Sequence, residues 1–394
     1  MNELATAPLS DLILDAQSGF ASGAKTEDGI AQIRMNNITL DGSLDMSSIR
    51  RVPQNAVSNI DRYLLNDGDI LFNATNSPNL VGKTARFVDQ GEPFVFSNHF
   101  VRLAVNPDRL DSSYLARWLT LQQQRGVFEL LCTRWVNQAS VRKEDLLSQN
   151  IPFPPLAEQK RIAAILDQAD ALRAKRRAAL ARLDALVQSV FLEMFGDPVT
   201  NPMGWEVGKL EQVGTLERGK SKHRPRNAPE LLNGPYPLVQ TGDIANAEGG
   251  YLTSYSQTYS EIGLKQSRMW KAGVLCITIA ANIAETAITT FDACFPDSVV
   301  GFIPNSNVRT EYVQRWLSFL KKILEENAPQ VAQKNINLQV LRELAIPIPP
   351  IQYQEQFVQR IEQIRFMRRS HKQYLQACDN FFFSLQQRAF RGEL

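Results

Sequence analysis

One long segment occurs twice in this chain, in the same register. IPFPPLAEQKRIAAILDQAD starts at Ile151 and IPIPPIQYQEQFVQRIEQIR starts at Ile346, 195 positions later. The offset holds without a gap from Gln138/Gln333 through Pro155/Pro350, Gln168/Gln363, Leu180/Leu375 and Asp184/Asp379 to Phe195/Phe390. Two similar halves are expected to fold as two similar domains related by an approximate two-fold axis. Such a protein suits a ligand that itself comes in two halves, and duplex DNA is the leading candidate.

The repeated segment reads as a long helix. Pro154 and Pro155 are expected in its first turn, Glu158 complements the helix dipole, and Gly196 with Pro198 supplies the stop. Ile162, Ile165, Ala169, Leu172, Arg176, Ala179, Leu183, Leu186 and Val190 recur in steps of three and four, the seam of a coiled coil. The second copy runs from Phe357 to Leu385 with the same spacing, and His371 stands at the level of Arg176, so each seam carries a polar group there. Helices of about forty residues span roughly 60 Å.

The remaining sequence is different in kind. Short β-like runs such as Asp69-Ile70-Leu71-Phe72 and Gly273-Val274-Leu275-Cys276-Ile277 alternate with Asn, Gly and Pro. The reading is therefore α+β, with two globular mixed domains at 1–150 and 198–345, each followed by a long helix at 151–197 and 346–394. Scaffold is shared between the halves, as in Tyr114-Leu-Ala-Arg117-Trp118-Leu119 beside Tyr312-Val-Gln-Arg315-Trp316-Leu317, while the loops diverge. Diverged loops on a common scaffold are expected to read two different things.

Composition narrows the partners. Lys and Arg number 43 against 41 acids, a net charge of +2, so phosphate contact has to come from local clusters. Cys132, Cys276, Cys294 and Cys378 are scattered without zinc-ligand spacing and read as buried thiols. The most apolar run, Val274 to Ile288, is interrupted by Asn282 and Glu285, so a cytoplasmic protein is expected.

With these features in hand, the chain resembles the specificity subunits of type I restriction-modification systems. The resemblance rests on PPLAEQKRIAAILDQAD, on the DALVQSVFLEMFGD ending and on the C-terminal SLQQRAFRGEL, and covers the whole layout. It implies two target-recognition domains, each reading one half of a split DNA site, held apart by an antiparallel coiled coil with pseudo-two-fold symmetry. It implies that the helices dock two methyltransferase subunits, with Pro155, Glu158, Gln159, Arg161, Pro350 and Gln354 as partner-binding candidates. It further implies that a restriction and translocase subunit joins for cleavage. S-adenosylmethionine, ATP and Mg are then expected on those partners, and this chain has no catalytic centre. Tyr353 departs from the pattern, standing where the first copy has Glu158.

The motif that competes with this reading is Gly214-Thr-Leu-Glu-Arg-Gly219-Lys220-Ser221, which fits the phosphate-loop pattern and would make the chain a nucleotide-dependent enzyme. The charged approach and Pro225, where a helix should open, argue against it. An assembly scaffold that binds only proteins is the third reading. In the same region Arg218, Lys220, Lys222, His223, Arg224 and Arg226 form a basic loop suited to phosphates and guanine edges, and Gln240 and Thr241 are added as candidates. In the first domain the DNA-binding candidates are Lys25, Arg34, Asn36, Asn37, Asn73, Asn76, Lys83 and Asn98, although Asn is equally a residue of turns. Asn233-Gly-Pro-Tyr236 lacks the first proline of an adenine-methylation motif, and His99, His223 and His371 are dispersed, which argues against a triad or a His-rich metal site.

Overall fold

The computed structural model describes residues 5–23, 25–136, 138–280, 284–326 and 337–394; Gln333 of the repeat lies outside them. The chain divides into two compact units, Met1–Arg177 with Gln373–Leu394, and Ala178–Lys372. Each unit holds one mixed domain and a stretch of both long helices.

The first unit is built on an antiparallel sheet in the order Ile13–Ser18, Phe100–Val105, Ile70–Asn73, Thr84–Arg86. Its central strand is buried on both faces because alternate residues point to opposite sides. Ile70 and Phe72 join the core shared with the helix Ser112–Gln124 and the long helices, and Leu71 joins a second core with Phe87, Phe96 and Phe100. Asp111 starts the helix Ser112–Gln124, its carboxylate accepting from Tyr114 N at 2.9 Å. The second unit repeats this four-strand order in Gly214–Arg218, Val299–Pro304, Leu275–Thr278, Thr286–Thr289, and adds Tyr251–Leu252 at the edge as a parallel strand. Leu275 and Ile277 face one core and Cys276 the other. Cys276 and Cys294 are buried as expected, whereas Cys132 and Cys378 are only half-buried.

In each unit the chain is tied shut where the long helix begins. Thr6–Pro8 pairs antiparallel with Asn150–Pro152, and Val207–Lys209 pairs with Ala345–Pro347. Tyr114 Oη donates to the Pro152 carbonyl at 2.9 Å, and Tyr312 Oη donates to the Pro347 carbonyl at 2.8 Å. The duplicated tyrosines of the sequence thus do the same job twice.

The long helices are Leu156–Phe195 and Ile351–Ala389. They start one residue after the prolines expected in the first turn. The Pro155 carbonyl accepts from Glu158 N and Gln159 N, so the prolines lead into the helix without occupying it. Gly196 ends the first helix at φ 75°, a left-handed position that glycine adopts at least cost.

Within each unit the two helices run antiparallel. In the first unit Arg161 donates to the Leu394 carbonyl, Arg173 meets Asp379 at 2.6 Å, and Arg176 lies over the Tyr374 ring. In the second, Asp184 meets Arg368 at 2.7 Å and Glu193 meets Arg360 at 3.7 Å. Arg173 and Arg368 are equivalent in the repeat, as are Asp184 and Asp379, so one ion pair is formed twice with roles exchanged between copies.

The apolar seam is less regular than the spacing suggested. Ile162, Ala163 and Leu166 are buried in the first unit's core, and Val187, Val190, Phe191 and Phe195 in the second's. Leu172 and Leu186 of the expected seam are 47% and 42% exposed, and Phe381 is 60% exposed. The domain cores take the apolar face of each helix, and in its middle third charged pairs carry the helix contact. A double-mutant cycle on Arg173→Ala and Asp379→Ala is expected to give a coupling of about 1 kcal/mol in denaturant unfolding; a coupling of zero removes this pair from the account.

Acid should loosen a second contact of Arg368, with Glu248, in the second unit. The hydrogen bond from Arg368 holds the Glu248 carboxyl below its ordinary 4.5. A depressed carboxylate contributes stability above its unfolded value, and that contribution is lost as the pH falls through the folded value. The Tm difference between wild type and Glu248→Gln is therefore expected at neutral pH and to close as the pH drops below about 4.5, measured by thermal unfolding.

Candidate nucleic-acid interface

In the second unit the phosphate-loop pattern proves to be a strand and its exit. Gly214–Arg218 pairs antiparallel with Val300–Pro304 along its whole length, and no helix opens at Ser221, the next helical turn being Pro229–Leu231. The pattern therefore lacks the helix N-terminus that would face a phosphate. Gly219 has a different reason to be glycine. A Cβ there would stand 2.2 Å from the Phe295 carbonyl oxygen and 2.3 Å from that of Pro296. Close approach of two backbones fixes where the basic loop leaves the sheet.

That loop is braced through its main chain. Lys222 N and His223 N both donate to Gln266 Oε1, at 2.6 and 3.1 Å, and Ser267 Oγ donates to the Lys220 carbonyl at 2.8 Å. The side chains of Lys220, Lys222, Arg224 and Arg226 are left exposed. One acid, Asp297, reaches the run from a distant part of the chain. It pairs with Arg226 at 2.6 Å and Arg224 at 3.5 Å, and its carbonyl accepts from Arg218 Nε at 2.9 Å. His223 stands 3.9 Å from Glu230. Asp297 orients two arginines, and the lysines stand free of it; a loop of this kind can contact phosphates without moving first.

Gln240 and Thr241 open the short helix Thr241–Asn246, and Gln240 Nε2 donates to Gln257 Oε1. Val239 N donates to the Cys294 carbonyl, so these residues and Gly219 flank the same Cys294–Asp297 segment.

In the first unit the candidates separate into two groups. Asn37, Asn73 and Lys83, expected to contact DNA, are buried and spent on the protein itself. Lys83 Nζ donates to the Met35 and Ile38 carbonyls, and burial pushes its ammonium pKa down. Asn37 Nδ2 donates to the Asp45 and Ser48 carbonyls while its Oδ1 accepts from Arg34 N. Asn73 Nδ2 donates to the Thr75 and His99 carbonyls and its Oδ1 accepts from Asn76 Nδ2 at 2.6 Å. Turn chemistry, the competing explanation for these residues, is what the fold uses. Lys25, Arg34, Asn36 and Asn98 remain exposed, with Asn76 half-buried among them. Burial, and then the nearby charge of Arg34, hold the His99 imidazole below its ordinary range. Ser97 N donates to the Ile33 carbonyl at 3.0 Å, which sets Arg34 beside the loop of Asn98.

The partner-binding candidates also divide. Pro155 and Pro350 are exposed, and half-buried Glu158 pairs with exposed Arg161 at 2.7 Å, which holds the Glu158 carboxyl below its usual value. Gln159 and Gln354 face inward and are fully buried. Gln159 accepts from Asp111 N and donates to the Arg109 and Pro154 carbonyls, all at 2.9–3.0 Å. Gln354 repeats this with Arg309 N and the Asn307 and Pro349 carbonyls. These two residues clamp each domain to the start of its helix and leave no polar atom for a partner. Tyr353, at the position of Glu158, lies 5.7 Å from the Trp205 ring.

Residues 25–182 and 202–376 match the type I restriction modification DNA specificity domain, most of the chain in two copies. The chain belongs to this family. Among the specificity-family proteins it resembles, it is 26% identical over 372 residues to the putative type I restriction enzyme MjaX specificity subunit of Methanocaldococcus jannaschii, covering 90% of this chain and 85% of that protein. It is 25% identical to the EcoBI specificity subunit of Escherichia coli, covering 98% and 85% respectively. In fold it is similar to the type I restriction-modification S subunit of M. genitalium, with a TM-score of 0.60 at 16% identity over 99% of this chain and 97% of that one.

Proposed function

We propose that this chain is the DNA sequence-specificity subunit of a type I restriction-modification complex in the cytoplasm, each of its two domains reading one half of a split duplex site. One observation carries the reading: two units that share a four-strand sheet order keep their scaffold residues and present different polar loops. Tyr114/Tyr312, Gln159/Gln354 and the exchanged Arg–Asp pairs are common to both. The exposed groups are not common: a backbone-braced basic loop at 218–226 in one unit, and Arg34, Asn36 and Asn98 in the other. Duplication of a scaffold with divergence of its loops supports recognition of two unlike half-sites.

In this reading the chain carries no catalytic group. Two methyltransferase subunits dock on the long helices, around exposed Pro155, Pro350 and the Glu158–Arg161 pair, and a restriction subunit joins them. S-adenosylmethionine, ATP and Mg are bound by those partners. The helices act as a spacer, and half-sites about one DNA turn apart, roughly 34–36 Å, would present the same side of the duplex to both domains.

Reconstitution of the chain with its methyltransferase subunits on a random duplex library tests this. The expected product is one motif, two short specified blocks separated by a gap of constant length. An undivided motif contradicts the proposal, and salt-insensitive association with all duplexes alike favours a protein-only scaffold.

A further inference from the structure

An exposed apolar tip stands in the first unit, outside every role described so far. Strands Thr133–Arg134 and Ala139–Ser140 form a hairpin, and the second of them pairs with Thr75–Asn76 to make a three-stranded ribbon. Trp135 N donates to the Gln138 carbonyl at 2.7 Å and closes the turn. This holds Trp135 60% exposed and Val136 98% exposed at the end of a hydrogen-bonded ribbon. A large apolar pair kept in water on a hydrogen-bonded support marks a binding surface.

The surroundings say what covers it. Thr75 N and Asn73 Nδ2 both donate to the His99 carbonyl, at 3.2 and 3.1 Å, and the hydroxyls of Thr75 and Ser140 are 3.2 Å apart. The ribbon therefore adjoins the loop of Asn98 and His99, and Ser97 N donates to the Ile33 carbonyl at 3.0 Å, which sets Arg34 beside that loop. Arg134, half-exposed on the hairpin itself, pairs with Glu129 at 3.1 Å. The partner must set flat apolar faces close to negative charge, and duplex DNA does so at every step, with base faces between phosphates. An apolar protein groove would leave the Arg34 charge beside it without a counterpart.

We propose that Trp135 and Val136 form a wedge that enters a base step in the half-site read by the first unit and partly unstacks it. The inference rests on the recognition function proposed above. Wedges of this kind kink a duplex at the point of entry, and aromatic stacking on bases is tolerant of sequence. The wedge is one-sided: the repeat offset, carried three residues back from Gln138, puts Gln330 and Val331 at the positions of Trp135 and Val136.

The test uses the full complex with its methyltransferase subunits and a cognate duplex carrying 2-aminopurine at successive positions of each half-site. Wild type is expected to raise the fluorescence at one step of one half-site only. Trp135→Ala should abolish that rise and weaken cognate binding about tenfold or more, whereas Trp135→Phe should keep both. Because the side chain is largely exposed, these variants should match wild type in thermal unfolding. An unchanged rise and affinity in Trp135→Ala overturns the wedge while leaving the recognition function intact. Loss of methyltransferase binding in the absence of DNA overturns it as well, by making the tip a protein contact. A wild-type complex with no preference for any split site removes the recognition function and the wedge with it.

Discussion

Replacing Lys220 and Lys222 together with alanine is expected to weaken duplex binding roughly 30-fold at 0.15 M salt, and to make the slope of log K against log salt shallower by about 1.8. The figure follows from two phosphate contacts, each contributing about 0.9 to the slope through counterion release. Both side chains are exposed on a loop held by Gln266 and Ser267 through its main chain, so their loss leaves the loop in place. Binding titrations at several salt concentrations measure both quantities. A parallel slope would show that these lysines do not touch phosphate. Arg226→Ala is expected to do less, because that guanidinium already shares its charge with Asp297.

The other large effect is on stability. Gln159→Leu strips partners from one backbone N–H and two carbonyls at the junction of domain and helix. Each buried polar group left alone costs about 1–3 kcal/mol, so the substitution should cost about 3 kcal/mol or more. For a unit of this size that lowers Tm by about 6–12 °C. Gln354→Leu should do the same in the second unit. Thermal unfolding of each variant checks both, and a shift below a degree would mean the clamp is not under load. Residues in separate units share no partner, so the two effects are expected to add.

These glutamines show what a sequence can and cannot display. Their equivalence was legible in the repeat, along with the two-domain plan, the long helices and the shared tyrosines. Their direction was not. A glutamine in the first turn of a helix serves a partner protein or its own domain depending on which way that face turns, and the decision lies with Asp111 and Arg309, some fifty residues away in sequence. The same holds for Lys83 and Asn73. Amide and ammonium groups were visible, while the carbonyls that consume them came from 35–38, 75 and 99. The basic run at 218–226 looked free of acid because Asp297 is brought to it only by the pairing of Gly214–Arg218 with Val300–Pro304. The expected seam erred for a related reason. Periodicity records that Leu172 and Leu186 are apolar, but the domain cores compete for the same helix face and win it at Ile162, Leu166, Phe191 and Phe195. Trp135 carried no sequence signal at all, since a single aromatic in a polar stretch is as often core as surface.

Exchange of residues 198–345 for the corresponding domain of another specificity subunit, followed by mapping of methylated sites made by the complex, tests the central claim most directly. The expected motif has one half replaced, the other retained and the gap unchanged. A motif altered in both halves, or in neither, would contradict it.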